Sequence, residues 1–151
     1  MSILNAESVN TIRIVTIREN NEIKILSSVL RVGTSKSKNV DNWAAGGLCI
    51  EIDKNGVLTQ YGYAKPKYGD KFEVHPDSKV KFKGFTIPYY DEVVNLVKKA
   101  HEKLYGIESI GWDVAVTQDG PVLIEGNDNW EISLMQINKG LKKEWKEFIK
   151  K

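Results

Sequence analysis

The residues predict an α+β protein, a mainly antiparallel sheet with flanking helices, and three observations carry that prediction. Apolar and polar residues alternate within 10–18 and again after a short turn, the period of a strand that rests one side on a core. Polar or glycine-bearing segments separate such runs in pairs, as in hairpins. One longer stretch, 88–105, repeats its apolar residues at intervals of three and four, the period of a helix with one buried stripe. Hairpins with helices set between them define the class.

In NTIRIVTIR (10–18), Ile12 and Ile14 alternate with polar neighbours, which predicts the first strand. The cluster Glu19-Asn20-Asn21-Glu22 is a turn, and 23–32 is the returning strand. GTSKSKNVDN (33–42) is a polar loop. GLCIEID (47–53) is a third strand, closed by the hairpin turn Lys54-Asn55-Gly56 with its Asn-Gly signal, and VLTQYGYA returns. Pro66, Gly69, Pro76 and Gly84 break any regular pattern over 64–86. The helix begins near Pro88, whose missing N–H costs nothing in a first turn, and runs to about Tyr105, with Gly106 as its stop. Its expected buried stripe is Tyr90, Val93, Val94, Val97, Ala100, His101 and Leu104. A second hairpin runs out over 110–117, turns at Gln118-Asp119-Gly120 and returns over 121–127. A basic helix over about 139–150, with Leu141, Trp145, Phe148 and Ile149 on one face, ends the chain.

At 151 residues the chain fits one domain with a core of its own, spanning 1–151. Twenty-two basic against 20 acidic residues give a net charge of +2, too small a bias to argue for nucleic acid as a partner. Apolar stretches fall well short of the roughly 20 residues a membrane helix needs, and the opening MSILNAESVN lacks a basic segment followed by an apolar one. No membrane association is expected. The single cysteine, Cys49, makes no internal disulfide and fits a reducing compartment, so the expected location is cytoplasmic. Placed within a strand, Cys49 is expected to be buried and inert.

The chemistry gathers in the last hairpin. With its turn centred near Asp119, Asp113 and Glu125 fall opposite each other on adjacent strands. Period two places Asn127 on the same side as Glu125, with Leu123 further back. Two facing carboxylates repel unless a positive charge lies between them. Hard oxygen donors of this kind suit Mg²⁺, so Asp113, Glu125 and Asn127 are the candidate metal ligands. Both acids are embedded in apolar strand sequence, Ile110-Gly111-Trp112-Asp113-Val114 and Val122-Leu123-Ile124-Glu125, where carboxylates seldom serve only as solvated decoration.

Only three residues are arginine, Arg13, Arg18 and Arg31, and two of them sit mid-strand. A hairpin turning near residues 20–23 brings Arg13 and Arg31 together across the sheet. Two adjacent cations call for an anion: a ligand, or ordinary salt bridges to residues such as Glu51 or Asp53. In Asn42-Trp43-Ala44-Ala45-Gly46-Gly47 an amide side chain precedes a small, glycine-ended loop, either a close approach to ligand or a tight entry into a strand. His75, in the loop His75-Pro76-Asp77, is either near a substrate or structural, and a lone loop histidine is more often structural. His101, on the helical stripe, is expected in the core.

Taken in order, NTIRIVT, LRVG, VDNWAAGG, IEIDKNG, a helix, GWDVAV and GPVLIEGN resemble the C-terminal half of ATP-grasp enzymes. The wording HPDS, FKGFTIP and GWDVAVTQDGPVLIEGN is most similar to the sugar-transfer-associated ATP-grasp family, over about residues 8–137. The resemblance implies that Asp113, Glu125 and Asn127 hold Mg²⁺ bridging ATP phosphates. It implies that Arg13 lies near the phosphates or an acyl phosphate, and that Arg31 and Asn42 lie on the phosphate and acceptor side. The implied reaction is attack of a substrate carboxylate on the γ-phosphate to give an acyl phosphate, which an amine or another nucleophile then displaces. The chain opens a few residues before its first strand, so the N-terminal lobe and lid, with their phosphate-contacting lysines, are expected to be absent. The partners implied are a small-molecule carboxylate and either the missing lobe or a second copy, packed on an exposed apolar seam. Such a half is expected to be inactive alone.

Asp128-Asn129-Trp130 stands where other branches of the fold have a small Pro/Gly turn, and Trp130 either covers the site or packs on the core. Two further readings compete with a ligase half. One is a non-catalytic remnant or interaction domain that keeps the fold and needs a partner. The other is a carbohydrate- or peptide-binding module with Trp43, Tyr61, Tyr63 and Trp112 as platforms.

Overall fold

Alternation in the strand segments is resolved into one sheet. The computed structural model describes residues 1, 3–38, 40–65, 70–138 and 140–149, with 144, 145, 148 and 149 described in the backbone alone. Its strands are β1 (Thr11–Glu19), β2 (Glu22–Val32), β3 (Leu48–Ile52), β4 (Leu58–Tyr63), β5 (Lys71–Phe72), β6 (Ser109–Thr117) and β7 (Gly120–Asn127). They form a seven-stranded sheet in the order β5-β4-β3-β2-β1-β6-β7, antiparallel throughout. The helices are α1 (Tyr90–Glu102), the short α2 (Ile132–Met135) and α3 (Lys142–Ile149). The α+β class and the two long hairpins are as expected. Pro66 and Gly69, and the side chains of Trp145, Phe148 and Ile149, lie outside the described residues.

Both faces of the central strands are covered. Ile12, Ile14, Leu30, Val32, Leu48, Ile50, Trp112 and Val114 pack under Tyr90, Val93 and Val97 of α1. On the other face Val15, Val29 and Cys49 meet Trp43, Leu134, Met135 and Leu141. Every residue of β1 from Thr11 to Ile17 is therefore buried. Polar members of that strand must find partners inside the protein, because an unpaired polar group in the interior is costly. Thr16 does so with His101: its hydroxyl lies 2.7 Å from Nδ1, accepts from Trp112 Nε1 at 2.8 Å, and His101 Nε2 donates to the Ile107 carbonyl at 2.9 Å. His101 is fully buried, as its place on the stripe suggested.

The helix is shorter than 88–105. Tyr89 has φ 56°, left-handed rather than helical, so the first turn starts one residue later, at Tyr90. At the far end Arg18 Nη2 donates to the carbonyls of His101 (2.9 Å), which also accepts the Leu104 amide (3.0 Å), and of Leu104 (3.2 Å), just past the helix. Leu104 is 40% exposed and drops out of the expected stripe.

The last hairpin has a two-residue turn, with Thr117 paired to Gly120. Val114 faces Leu123, but Asp113 faces Glu125, so Ile124 is an extra residue, a β-bulge. Leu123 packs with the α1-side core. The expectation that it lies behind Glu125 on one face is corrected: the bulge breaks period two between them.

Candidate metal and phosphate site

Strand register builds the site. Arg31 of β2 pairs with Thr11 of β1, Arg13 with Asp113 of β6, and Asp113 with Glu125 of β7. These side chains form a row across four strands on the face away from α1. Arg13 grips Asp113 with both ends of its fork: Nε donates to Oδ1, and Nη2 to Oδ2 at 2.8 Å. Arg31 Nη1 donates to the same Oδ2 at 2.9 Å, and its Nη2 to Oδ1 of Asp41 at 3.3 Å. Thr11 Oγ1 donates to the other oxygen of Asp41. The anion expected between the two arginines is thus supplied by the chain, through Asp113 and Asp41 rather than Glu51 or Asp53. Glu51 instead accepts from Asn138 Nδ2 at 2.6 Å, and Asp53 Oδ1 accepts the amides of Asn55 and Val57 in the turn after β3.

Asp113 is 6% exposed and Arg13 9%. Burial pushes the Asp113 carboxyl up, but the hydrogen bonds and charge of Arg13, joined by Arg31, outweigh it and hold the group below the usual carboxylate range. Hydrogen bonding to Asp113 in turn raises the Arg13 guanidinium.

Glu125 is more open, its side chain 53% exposed, with Oε1 3.9 Å from Arg13 Nη2. Asn127 Nδ2 donates to Glu125 Oε1 at 3.0 Å, so the two share a side of the ribbon. The donors available to a cation are therefore unequal. A carboxylate has about four lone-pair sites, and three guanidinium N–H groups already use Asp113. Glu125, Asn127 and the remaining lone pair of Asp113 make an all-oxygen set, which fits Mg²⁺. Among the described residues no group of three or more His, Cys, Asp and Glu is placed to hold a metal, so the amide of Asn127 is needed to complete the set. Arg31 Nε is buried and without an acceptor among the described residues, and Asp113 and Asp41 each take only one N–H of an Nη group.

Asn42 does not join the row. Its side-chain oxygen accepts the Ala44 amide at 2.9 Å and caps the 3₁₀ turn Trp43–Ala45. Its neighbour Asp41 is the residue that reaches Arg31, and sequence reasoning passed over it. The available signal was a charge count: two buried guanidiniums need more than one carboxylate, and Asp41 lies in the same loop.

His75 is fully buried, its Nε2 2.9 Å from the Gly33 carbonyl and its Nδ1 accepting the amides of Asp77 and Ser78 at 3.3 Å, which makes it a structural clamp between loops. Trp130 packs on the sheet: a Cβ at Gly111 would lie 2.6 Å from that of Trp130. Trp43 and Trp112 are 4% and 3% exposed and so are not platforms for a sugar, while Lys71 Nζ stands 4.4 Å over the Tyr61 ring. Cys49 is buried and free, and burial raises its thiol far from the reactive range. No helix among the described residues is long and apolar enough to cross a membrane.

Compared with known families, residues 1–150 match the family described as sugar-transfer associated ATP-grasp. No curated protein and no solved structure matches the chain.

Proposed function

The chain belongs to the sugar-transfer associated ATP-grasp family, and from that membership we propose that it is the Mg²⁺-dependent, nucleotide-binding half of an ATP-dependent carboxylate ligase, working with a second ATP-grasp lobe. The observation that supports this most is the row of Arg31, Arg13, Asp113, Glu125 and Asn127 on one face of the sheet. Glu125 and Asn127, with Asp113, would hold the ion. When bound, Mg²⁺ supplies positive charge against phosphate oxygens and favours transfer of a phosphoryl group to a carboxylate.

The protein's own residues prepare for that. Arg13 keeps Asp113 ionised in a buried place, so the acid stays a donor of lone pairs rather than taking up a proton. Three carboxylates, Asp41, Asp113 and Glu125, face two guanidiniums and leave the row one charge negative. A divalent cation reverses that sign, and polyphosphate binding needs the reversed sign. Arg31, whose bonds to Asp113 and Asp41 use two of its five N–H groups, would supply further donors to an incoming oxygen.

Calorimetry of the chain with MgATP tests the reading. Weak binding is expected, dependent on Mg²⁺ and lost in Glu125→Gln, with no ADP released alone in the presence of a panel of carboxylates. Binding indifferent to both Mg²⁺ and Glu125→Gln would overturn the site, and robust ATPase activity from the chain alone would overturn the need for a second lobe. One observation favours the non-catalytic reading. Asp113 is held by three guanidinium hydrogen bonds, the form of a structural ion network. Absence of any MgATP binding in a well-folded chain would decide for it.

A further inference from the structure

We propose that Asp41 is a positioning residue that fixes the Arg31 guanidinium in the orientation in which it receives an anion; the inference rests on the phosphate-binding reading above. Arg31 is held at two points of its planar head, Nη1 on Asp113 and Nη2 on Asp41, and two such anchors define both its plane and its rotation. Those two bonds use two of its five N–H groups: one N–H on each Nη is left over, and the Nε–H has no acceptor among the described residues.

Asp41 is itself held. Its second oxygen takes the Thr11 hydroxyl, and its side chain is 14% exposed. The loop around it is tied on both sides. Before it, Ser37 Oγ donates to the Val40 carbonyl at 2.6 Å, and Thr34 and Ser37 cap each other. After it, Asn42 caps its own turn and accepts the Gly47 amide at 3.1 Å. A Cβ on Gly47 would come within 3.1 Å of the carbonyl oxygens of Val32, Asp41 and Asn42, so glycine lets the loop close tightly on the sheet.

A carboxylate beside an anion site works against the anion by charge. Its benefit must come from orientation, and substitution separates the two. Asp41→Asn and Asp41→Ala remove the same charge, but only the amide keeps an oxygen for Arg31, with its NH₂ placed to donate to the Thr11 hydroxyl. The experiment is calorimetry of the full chain with tripolyphosphate and Mg²⁺, alongside side-chain NMR of the Arg31 Nη protons.

Asp41→Asn is expected to bind tripolyphosphate at least as tightly as the parent. Asp41→Ala is expected to bind about tenfold more weakly than Asp41→Asn, the scale of one lost charge-assisted hydrogen bond. The Arg31 Nη protons should stay separately resolved in the parent and Asp41→Asn and average together in Asp41→Ala. If Asp41→Ala does not fold, Thr11→Val replaces it and is compared with Thr11→Ser, with a loss of about threefold expected. Equal affinities within either pair overturn the proposal. So does a lowered melting temperature with unchanged affinity, or Arg31 protons that stay resolved in Asp41→Ala. A parent chain that binds no tripolyphosphate overturns the phosphate-binding reading itself, and the NMR comparison still decides whether Asp41 orients Arg31.

Discussion

Asp113→Asn tests the centre of the molecule most directly, because Asp113 is shared by two guanidiniums. It is 6% exposed, and the side chains of Arg13 and Arg31 are 11% and 15% exposed. An asparagine keeps the shape, removes the charge and turns an NH₂ toward two cations. Breaking a buried ion pair by neutralising one member costs about 3–5 kcal/mol. Asp41 still faces Arg31 at 3.3 Å and Glu125 still lies 3.9 Å from Arg13, which argues for the lower end. A loss of about 3 kcal/mol is a large part of the 5–15 kcal/mol typical of a domain, and at about 2–4 °C per kcal/mol it lowers Tm by about 6–12 °C.

Urea unfolding followed by tryptophan fluorescence measures the loss. A cost below about 1 kcal/mol would refute the reasoning, because the pair would then behave as an exposed one. The acid limb gives a second check. Asp113 titrates below the ordinary carboxylate value when folded, so the unfolded chain takes up its proton first. Its contribution is complete above about pH 4 and is lost as pH falls through the lower folded value. Asp113→Asn should lack that part of the stability profile. The same argument makes this substitution a poor probe of metal binding, since it disturbs the fold as well.

Glu125→Gln is the cleaner probe: at 53% side-chain exposure it should change stability by less than about 1 kcal/mol, while Mn²⁺ binding read by paramagnetic resonance is lost. Gly111→Ala places a Cβ 2.6 Å from Trp130 Cβ and should cost about 1–3 kcal/mol by overpacking, visible as a changed near-ultraviolet circular dichroism band. His101 is held below its ordinary value, chiefly by burial, with the nearby Arg18 charge adding to this and the Ile107 hydrogen bond opposing it. The stability it contributes is present above about pH 6.5 and is lost as pH falls through the lower folded value. His101→Gln should flatten that limb in a series of urea melts, and NMR titration of the ring should place its midpoint below 6.5.

Much of the sheet could be read from Ile12 and Ile14, from the Asn20-Asn21 turn and from the two glycine-bearing hairpins, because period-two burial and turn chemistry are local. The pairing of Asp113 with Glu125 was also legible, though for an incomplete reason. The turn is one residue tighter than a centre at Asp119 implies, and the bulge at Ile124 restores the pairing. A bulge leaves no mark in a run such as Val122-Leu123-Ile124, where every residue is apolar. Nor did the loop from 33 to 47 show which of Asp41 and Asn42 turns inward. That choice is made by Thr11 and Arg31, which are distant in sequence. The start of α1 moved for a different reason: nothing in Pro88-Tyr89 marks the left-handed conformation of Tyr89.

The bulge also bears on length variation in the ribbon. Since Ile124 is supernumerary, excising it would join Leu123 directly to Glu125 and leave both opposite their present neighbours, Val114 and Asp113. The interval between the two acids is therefore elastic by one residue at that point. A deletion between Val114 and the turn has no such slack, and would carry either the acid or the leucine through to the wrong side of the sheet.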